Sequence, residues 1–272
     1  MIARKLKPGP PLGEFVECLW YYDGYSVPHA RERALPTGTL EIVFNLRDDR
    51  IRLFREDSDL EGTHFRGSVV CGAHAGYFVI GTAEQSTVLG VHFKPGGAAP
   101  FLGLPAAEVS DAHVGLDDIW GSAAHTLRER LLDTPNPDAR LALLERALIA
   151  RLHPAFSPNP AVAYALHQLT SNPALARVND VRTQSGYSPK RFIQLFRGAV
   201  GLTPKVYCRV QRFQSVIRRL SQGKAVEWAN VALDGGYYDQ SHLNREFRSF
   251  TGLTPSEYQP ILDRPNHVPI ES

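Results

Sequence analysis

A two-domain α+β chain is the fold this sequence predicts: a β-rich, barrel- or sandwich-like front with two trailing helices, then an all-α back in which a long helix joins two copies of one small unit. Three observations predict it. Short aromatic and β-branched runs, separated by Gly, Asp and Pro clusters, fill residues 12–93. From about Ala161 onward the apolar residues recur at helical spacing. Within that helical part a segment repeats: GYSPKRFIQLFRGAVGLTPKVY, from Gly186 to Tyr207, returns as GYYDQSHLNREFRSFTGLTPSEY, from Gly236 to Tyr258, with one residue inserted after the Gly-Tyr pair. Phe196 then falls on Phe247, and Gly201-Leu202-Thr203-Pro204 on Gly252-Leu253-Thr254-Pro255.

In chain order, strands are expected at Phe15–Tyr22, Leu40–Leu46, Gly67–Cys71, Tyr77–Gly81 and Val88–Phe93, spaced as in an antiparallel barrel or sandwich. Two helices are expected next, over Ile119–Leu132 and Asp138–His153, divided by the breaker run Asp133-Thr134-Pro135-Asn136-Pro137. Leu141, Leu144, Leu148 and Leu152 form one apolar stripe on the second, suited to packing on the front half or to a dimer contact. A short link, His153–Pro160, separates the halves, giving domains at 1–155 and 158–260 and a C-terminal tail at 261–272. Helices over Ala161–Leu169 and Leu175–Gln184 follow, then one opened by Ser188 as N-cap with Pro189 in its first turn. Asp239 supplies the corresponding cap in the second copy, and Thr203-Pro204 and Thr254-Pro255 repeat the same start signal.

The chain of 272 residues carries a net charge of +2, which conceals a division. Residues 171–260 hold 13 Lys and Arg against 6 Asp and Glu, whereas residues 1–170 hold 16 against 20. The repeat region is thus the basic part, the part that attracts polyanions. No apolar run reaches the roughly 20 residues of a membrane span, and the N-terminus lacks a signal-peptide pattern. Cys18, Cys71 and Cys208 are odd in number and widely spaced, as in a reduced, cytoplasmic protein.

A helix that reads DNA packs one face on its neighbour and leaves the other free to enter a major groove about 12 Å wide. The first copy divides in this way. Phe192, Leu195, Phe196 and Ala199 recur at three- and four-residue steps, while Lys190, Ile193, Gln194 and Arg197 lie outward with Arg191 at the edge. In the second, Leu243, Phe247 and Phe250 go inside, leaving Gln240, Ser241, Asn244, Arg245 and Arg248 outside, with Glu246 the main acidic exception. The connecting helix, roughly Pro204 to Ser221, spans roughly 27 Å and would set two such helices about one DNA turn apart. Gln194 and Arg245 suit base edges, and Arg197 and Arg248 suit phosphates.

At these residues the chain resembles the AraC/XylS family of bacterial transcription regulators: WANVALDGGYYDQSHLNREFRSFTGLTPSEY is close to the family signature GYxDQSHFxRxFKxxxGxTPxxY. The resemblance spans about Asn159 to Gln259 and implies two helix-turn-helix subdomains that bind double-stranded DNA, with RNA polymerase a partner if the protein activates. It places the base-reading positions at Lys190, Ile193 and Gln194 in the first copy and at Gln240, Ser241, His242 and Arg245 in the second. One departure stands out. Arg182 occupies a position that is usually small and faces the recognition helix, as its counterpart Ala232 does, so it must tilt outward or push the helices apart. The front half resembles an uncharacterised domain found fused to such units, through PxLxxFVExLWYYDG, RxLPTGTLEIVFNL and HFKPGGAAPFLGLPAAEVSD. By analogy within the family it senses a small-molecule effector, mediates homodimerisation, or both.

Within the front half, Trp20, Tyr21, Tyr22 and Phe44 are expected to fill the core, with Trp20, Tyr22 and Phe44 also candidates to touch a ligand. His92 is a candidate pocket residue and Arg33 a candidate partner for an anionic ligand, against ordinary roles as an edge histidine and a surface ion pair. An enzyme is the competing class, and an effector-free dimerisation module the other. No GxxxxGK[ST], HExxH or GxGxxG spacing is present, and the ten histidines are scattered, so neither a metal nor a cofactor is expected.

Overall fold

The computed structural model describes residues 1–152, 157–222 and 227–271. Residues 153–156 of the expected link, with the end of the helix expected to reach His153, lie outside the described residues.

The front half opens with strands β1 (Ile2–Leu6), β2 (Val16–Asp23), β3 (Arg31–Ala34), β4 (Glu41–Asn45), β5 (Ile51–Phe54), β6 (Thr63–Phe65), β7 (Ser68–Cys71), β8 (Phe78–Gly81) and β9 (Thr87–Phe93). A one-turn helix α1 (Ala99–Leu102), strand β10 (His113–Gly115) and helices α2 (Leu116–Trp120), α3 (Ser122–Asp133) and α4 (Pro137–Arg151) complete it. The back half holds α5 (Pro160–Ser171), α6 (Val178–Gln184), α7 (Pro189–Val200), α8 (Pro204–Leu220), α9 (Trp228–Asp234) and α10 (Gln240–Thr251), followed by strand β11 (His267–Ile270).

Among the described residues the strands form two antiparallel sheets, ordered β1-β2-β9-β4-β7-β10 and β11-β3-β8-β5-β6. This is a sandwich whose first sheet is covered on both faces. Along β2 and β4, Leu19, Tyr21, Ile42 and Phe44 point to a core shared with the helices. Val43, with Trp20 and Tyr22 beside it, faces the second sheet. The period-2 alternation of a strand sorts the side chains into these two layers.

The larger core runs without a break from the sandwich through α4 into α5–α10 and includes Phe101, Leu144, Phe192, Phe213 and Phe247. Leu141, Leu144 and Leu148 are buried in it and Leu152 half-buried, so the leucine stripe is covered by the chain itself and offers no free dimer face. Arg140 donates from Nη1 to the Tyr21 hydroxyl at 2.9 Å, pinning α4 on β2.

Three expectations need correction. The helix expected over Ile119–Leu132 is two, α2 and α3, divided at Gly121 with φ of 60°. The helix expected from Leu175 starts at Val178, because Leu175 and Ala176 donate to the Asn172 carbonyl in a turn. Thr254-Pro255 starts a turn and no helix: Glu257 caps Thr254, but Gln259 precedes Pro260, which disfavours helical backbone there and supplies no N–H. Within the tail, β11 pairs with β3, Val268 opposite Arg33.

Candidate nucleic-acid interface and inter-sheet cavity

Both repeat helices are capped as their sequences require. Ser188 Oγ accepts from the Arg191 N–H at 3.4 Å, and Asp239 Oδ1 from the His242 N–H at 2.7 Å. Each then buries a matching aromatic face. Phe192 and Phe196 sink beneath α7, Phe196 meeting Tyr207 edge-on at 5.6 Å. Leu243, Phe247 and Phe250 sink beneath α10, where Phe213 of α8 lies 5.4 Å from Phe247 and 5.0 Å from Phe250. One helix, α8, therefore supplies the packing partner of both.

The opposite faces are open. On α7, Lys190, Arg191, Ile193, Gln194 and Arg197 are exposed. Arg191 Nη1 donates to Gln194 Oε1 at 3.0 Å, which orients the amide and leaves its NH₂ free to donate. On α10, Gln240, Ser241, Arg245 and Arg248 are exposed. His242 is half-buried, with Nδ1 accepting from the Tyr238 N–H at 3.3 Å and its ring edge-on to Tyr237 at 5.4 Å. It sits at the base of the exposed face, where it braces the turn.

The acidic exception is neutralised from behind. Glu246 receives Arg209 Nε at 2.8 Å and Nη2 at 2.7 Å, a forked pair between α8 and α10. Arg182 takes the outward course: its guanidinium binds Asn179 Oδ1 at 3.0 Å and Thr183 Oγ1 at 3.1 Å on its own helix, while Ala232 is fully buried. Tyr238, 87% exposed at the head of α10, adds an aromatic ring to that face that the sequence reading passed over. Its signal was the single insertion that distinguishes the second copy from the first.

The face of α7 also borders a groove of about 1310 Å³ whose far wall is Leu104, Pro105 and Glu108 of the front half. Contacts between the halves are polar as well as apolar. Gln211 of α8 donates to the Thr37 carbonyl at 3.1 Å, and Gln214 to the Pro36 carbonyl at 2.8 Å and Asn266 Oδ1 at 2.9 Å.

A second site lies between the two sheets: a cavity of about 290 Å³ lined by Trp20, Tyr22, Val43, Leu53, Val69 and Ile80, with Thr39, Glu41 and His92 on its polar side. The structure brings Trp20, Tyr22 and His92 together here; Arg33 and Phe44 lie elsewhere. Phe44 faces the helical core, and Arg33 pairs with Asp57 through Nε at 3.1 Å and stacks over Tyr77 at 5.5 Å. His92 Nδ1 bonds Glu41 and its Nε2 bonds Thr39 Oγ1 at 3.0 Å. Burial works against both charges, but each of the pair outweighs it for the other, drawing the Glu41 carboxyl down and the His92 ring up.

Arg264, Asn266 and His267, from the segment after the second repeat, form part of the cavity wall. Arg264 and His267 are fixed by the fully buried Glu32 of β3, which meets His29 Nε2 at 3.0 Å, His267 Nδ1 at 3.1 Å, Arg264 Nη1 at 3.6 Å and the Tyr25 hydroxyl. Burial alone would raise the Glu32 carboxyl, yet the His267 ring, the Tyr25 hydroxyl and the Arg264 charge bring it down to about 2. Sequence reasoning missed this wall. Among the described residues no group of three His, Cys, Asp or Glu is placed to hold a metal ion, and no helix is long and apolar enough to cross a membrane.

Residues 183–260 match a family described as a helix-turn-helix domain, and residues 4–115 a domain of unknown function, DUF6597. No curated protein matches the sequence. Among solved structures the chain is similar to ToxT from Vibrio cholerae O395 bound to (E)-4-(8-methylnaphthalen-1-yl)but-3-enoic acid, at 11% identity and a TM-score of 0.47, over 88% of this chain and 96% of that one. It is similar also to unsaturated fatty acid bound wild-type ToxT from strain SCE256, at 10% identity and a TM-score of 0.46, over 88% and 92% of the two chains. At this level the likeness says nothing of what this chain binds.

Proposed function

We propose that this chain, a DNA-binding transcription regulator with an AraC-type helix-turn-helix domain, reads two successive major-groove segments with α7 and α10 under the control of a small molecule held between its sheets. The observation that carries the DNA half is the matched division of faces: aromatic side chains bury one side of each helix, and Lys, Arg and Gln occupy the other. Gln194 and Arg245 are assigned to base edges, with Lys190, Ile193, Gln240 and Ser241 beside them. Arg191, Arg197 and Arg248 are assigned to phosphates, and His242 to positioning.

Control by an effector rests on the cavity. Its aromatic and aliphatic walls, with Thr39, Glu41 and His92 on one side and Arg264, Asn266 and His267 on another, suit a small amphipathic molecule that carries hydrogen-bonding groups. Two routes lead from it to the DNA-binding half: the Arg264–His267 wall, and the Pro36 and Thr37 carbonyls held by Gln214 and Gln211 of α8. A ligand that shifts either changes how the front half lies along the α7 groove.

Selecting bound duplexes from a random pool with the full chain tests the reading. Two short motifs about one helical turn apart support it; a bound pool with no shared motif contradicts it.

A further inference from the structure

The two copies share one more point of contact, and it lies in the front half. Gly201 and Gly252 are equivalent residues of the repeat and end α7 and α10. Both take positive φ, 91° and 73°. Both are also crowded by the same loop, residues 72–77 between β7 and β8. A methyl placed on Gly201 would come within 3.1 Å of the Ala73 Cβ and 3.3 Å of the Ala106 carbonyl oxygen. One placed on Gly252 would come within 3.1 Å of the Tyr77 ring, and one on Gly76 would meet the Ser249 carbonyl of α10 at 3.9 Å. Arg33, itself fixed by Asp57, lies over the Tyr77 ring at 5.5 Å.

We propose that the β7–β8 loop is a gauge that sets the separation at which the two units read DNA, with Tyr77 its positioning residue toward the second unit. The inference rests on the reading of α7 and α10 as DNA-reading helices. Helix α8 joins the units through Phe213 and Tyr207, and Gly236 of the second lies close against Ala174 of the first. These contacts lie on the α8 side and leave the units freedom to rock about it. The loop supplies a further point of support for each unit, at Ala73 and Tyr77 between β7 and β8, and that support removes the freedom. Binding the second half-site then becomes an intramolecular step at high effective concentration, but only at the separation the gauge allows. The flanks of the loop, Gly72, His74 and Phe78, line the inter-sheet cavity.

The test uses the full chain and duplexes carrying two half-sites, taken from the motifs selected by the wild type and separated in single-base-pair steps from about 9 to 13. A duplex with the second half-site alone is the reference. Wild type should bind the best separation roughly 100-fold more tightly than the half-site, with a sharp optimum. Tyr77→Ala should keep half-site affinity within about twofold while the advantage of the best separation falls to about tenfold or less and the optimum flattens. Tyr77→Phe, which keeps the ring, should retain the wild-type profile, and Tyr77→Leu should fall between. A Tyr77→Ala profile that superimposes on the wild type overturns the gauge. So does an equal loss on the half-site and on every separation, which marks a general loss of folding. A wild type without sequence-selective binding overturns instead the DNA reading itself, and the gauge with it.

Discussion

Arg209 of α8 holds Glu246 of α10 in a two-pronged ion pair, with Nε 2.8 Å and Nη2 2.7 Å from the carboxylate oxygens, on the side of α10 away from its exposed Arg245 and Arg248. The pair fixes α10 to α8 and draws a negative charge away from the exposed side of α10. Arg209→Ala should lower stability by about 1–2 kcal/mol, since the pair is partly solvated. It should also weaken DNA binding, because Glu246 is then free to repel phosphates. Adding Glu246→Ala should restore much of the affinity. Titration of a selected duplex with the single and double variants measures this, and a double variant no better than Arg209→Ala alone would refute the repulsion.

Arg182 and Ala232 are equivalent in sequence and opposite in environment. Arg182 binds Asn179 and Thr183 at the surface, so Arg182→Ala should change stability by less than about 0.5 kcal/mol. Ala232 has no exposed surface, and Ala232→Arg forces a charge and the whole chain from Cγ to the guanidinium into packed space, at a cost of about 3 kcal/mol or more. Urea denaturation of the two variants compares them directly. A comparable loss at both positions would mean that Arg182 carries weight in the first unit.

Much of this was legible because it is local. Ser188, Thr203 and Asp239 cap helices within three residues of themselves, and the burial of Phe192, Phe196, Leu243 and Phe247 follows from helical spacing alone. The cavity was legible only in part. Both faces of the first sheet are covered, so alternation along β2 and β4 separates Trp20 from Tyr21 and Val43 from Phe44 without saying which layer holds the open space. Strand β3 reads Arg-Glu-Arg-Ala and shows no apolar signal, since its inward residue is the ionised Glu32. One of the partners that satisfy Glu32, His267, lies 235 residues away, beyond the reach of any local pattern.

The paired rings of His74 and His113, 4.6 Å apart, make stability depend on pH. Burial lowers His74 to about 4, against weaker support from Asp111 and the Ala112 carbonyl; burial and the neighbouring His74 lower His113 to about 3. Neither Nε2 has a hydrogen-bond partner, as suits neutral rings. In the unfolded chain each takes up a proton near pH 6.5, whereas the folded protein resists until pH 4 or 3. Their contribution is therefore complete above about pH 6.5 and declines as the pH falls, by up to about 1.4 kcal/mol per pH unit per ring. His113→Phe should be neutral or stabilising at pH 7 and should reduce the slope between pH 6 and pH 4. An unchanged slope in urea titrations at those two pH values would show that the rings are not the source.

Arg245 and Arg248 lie three residues apart on the exposed side of α10 and are assigned different tasks, one at a base edge and one at a phosphate. Titrating Arg245→Ala and Arg248→Ala against the selected duplex and its single-base variants measures the difference. Arg245→Ala should cost about 1–3 kcal/mol on the selected sequence and level the preference at one base pair. Arg248→Ala should weaken every sequence alike and make binding less dependent on salt, by about one unit of the log–log slope. An equal loss on all sequences for Arg245→Ala would contradict the reading of α10 as the helix that reads bases.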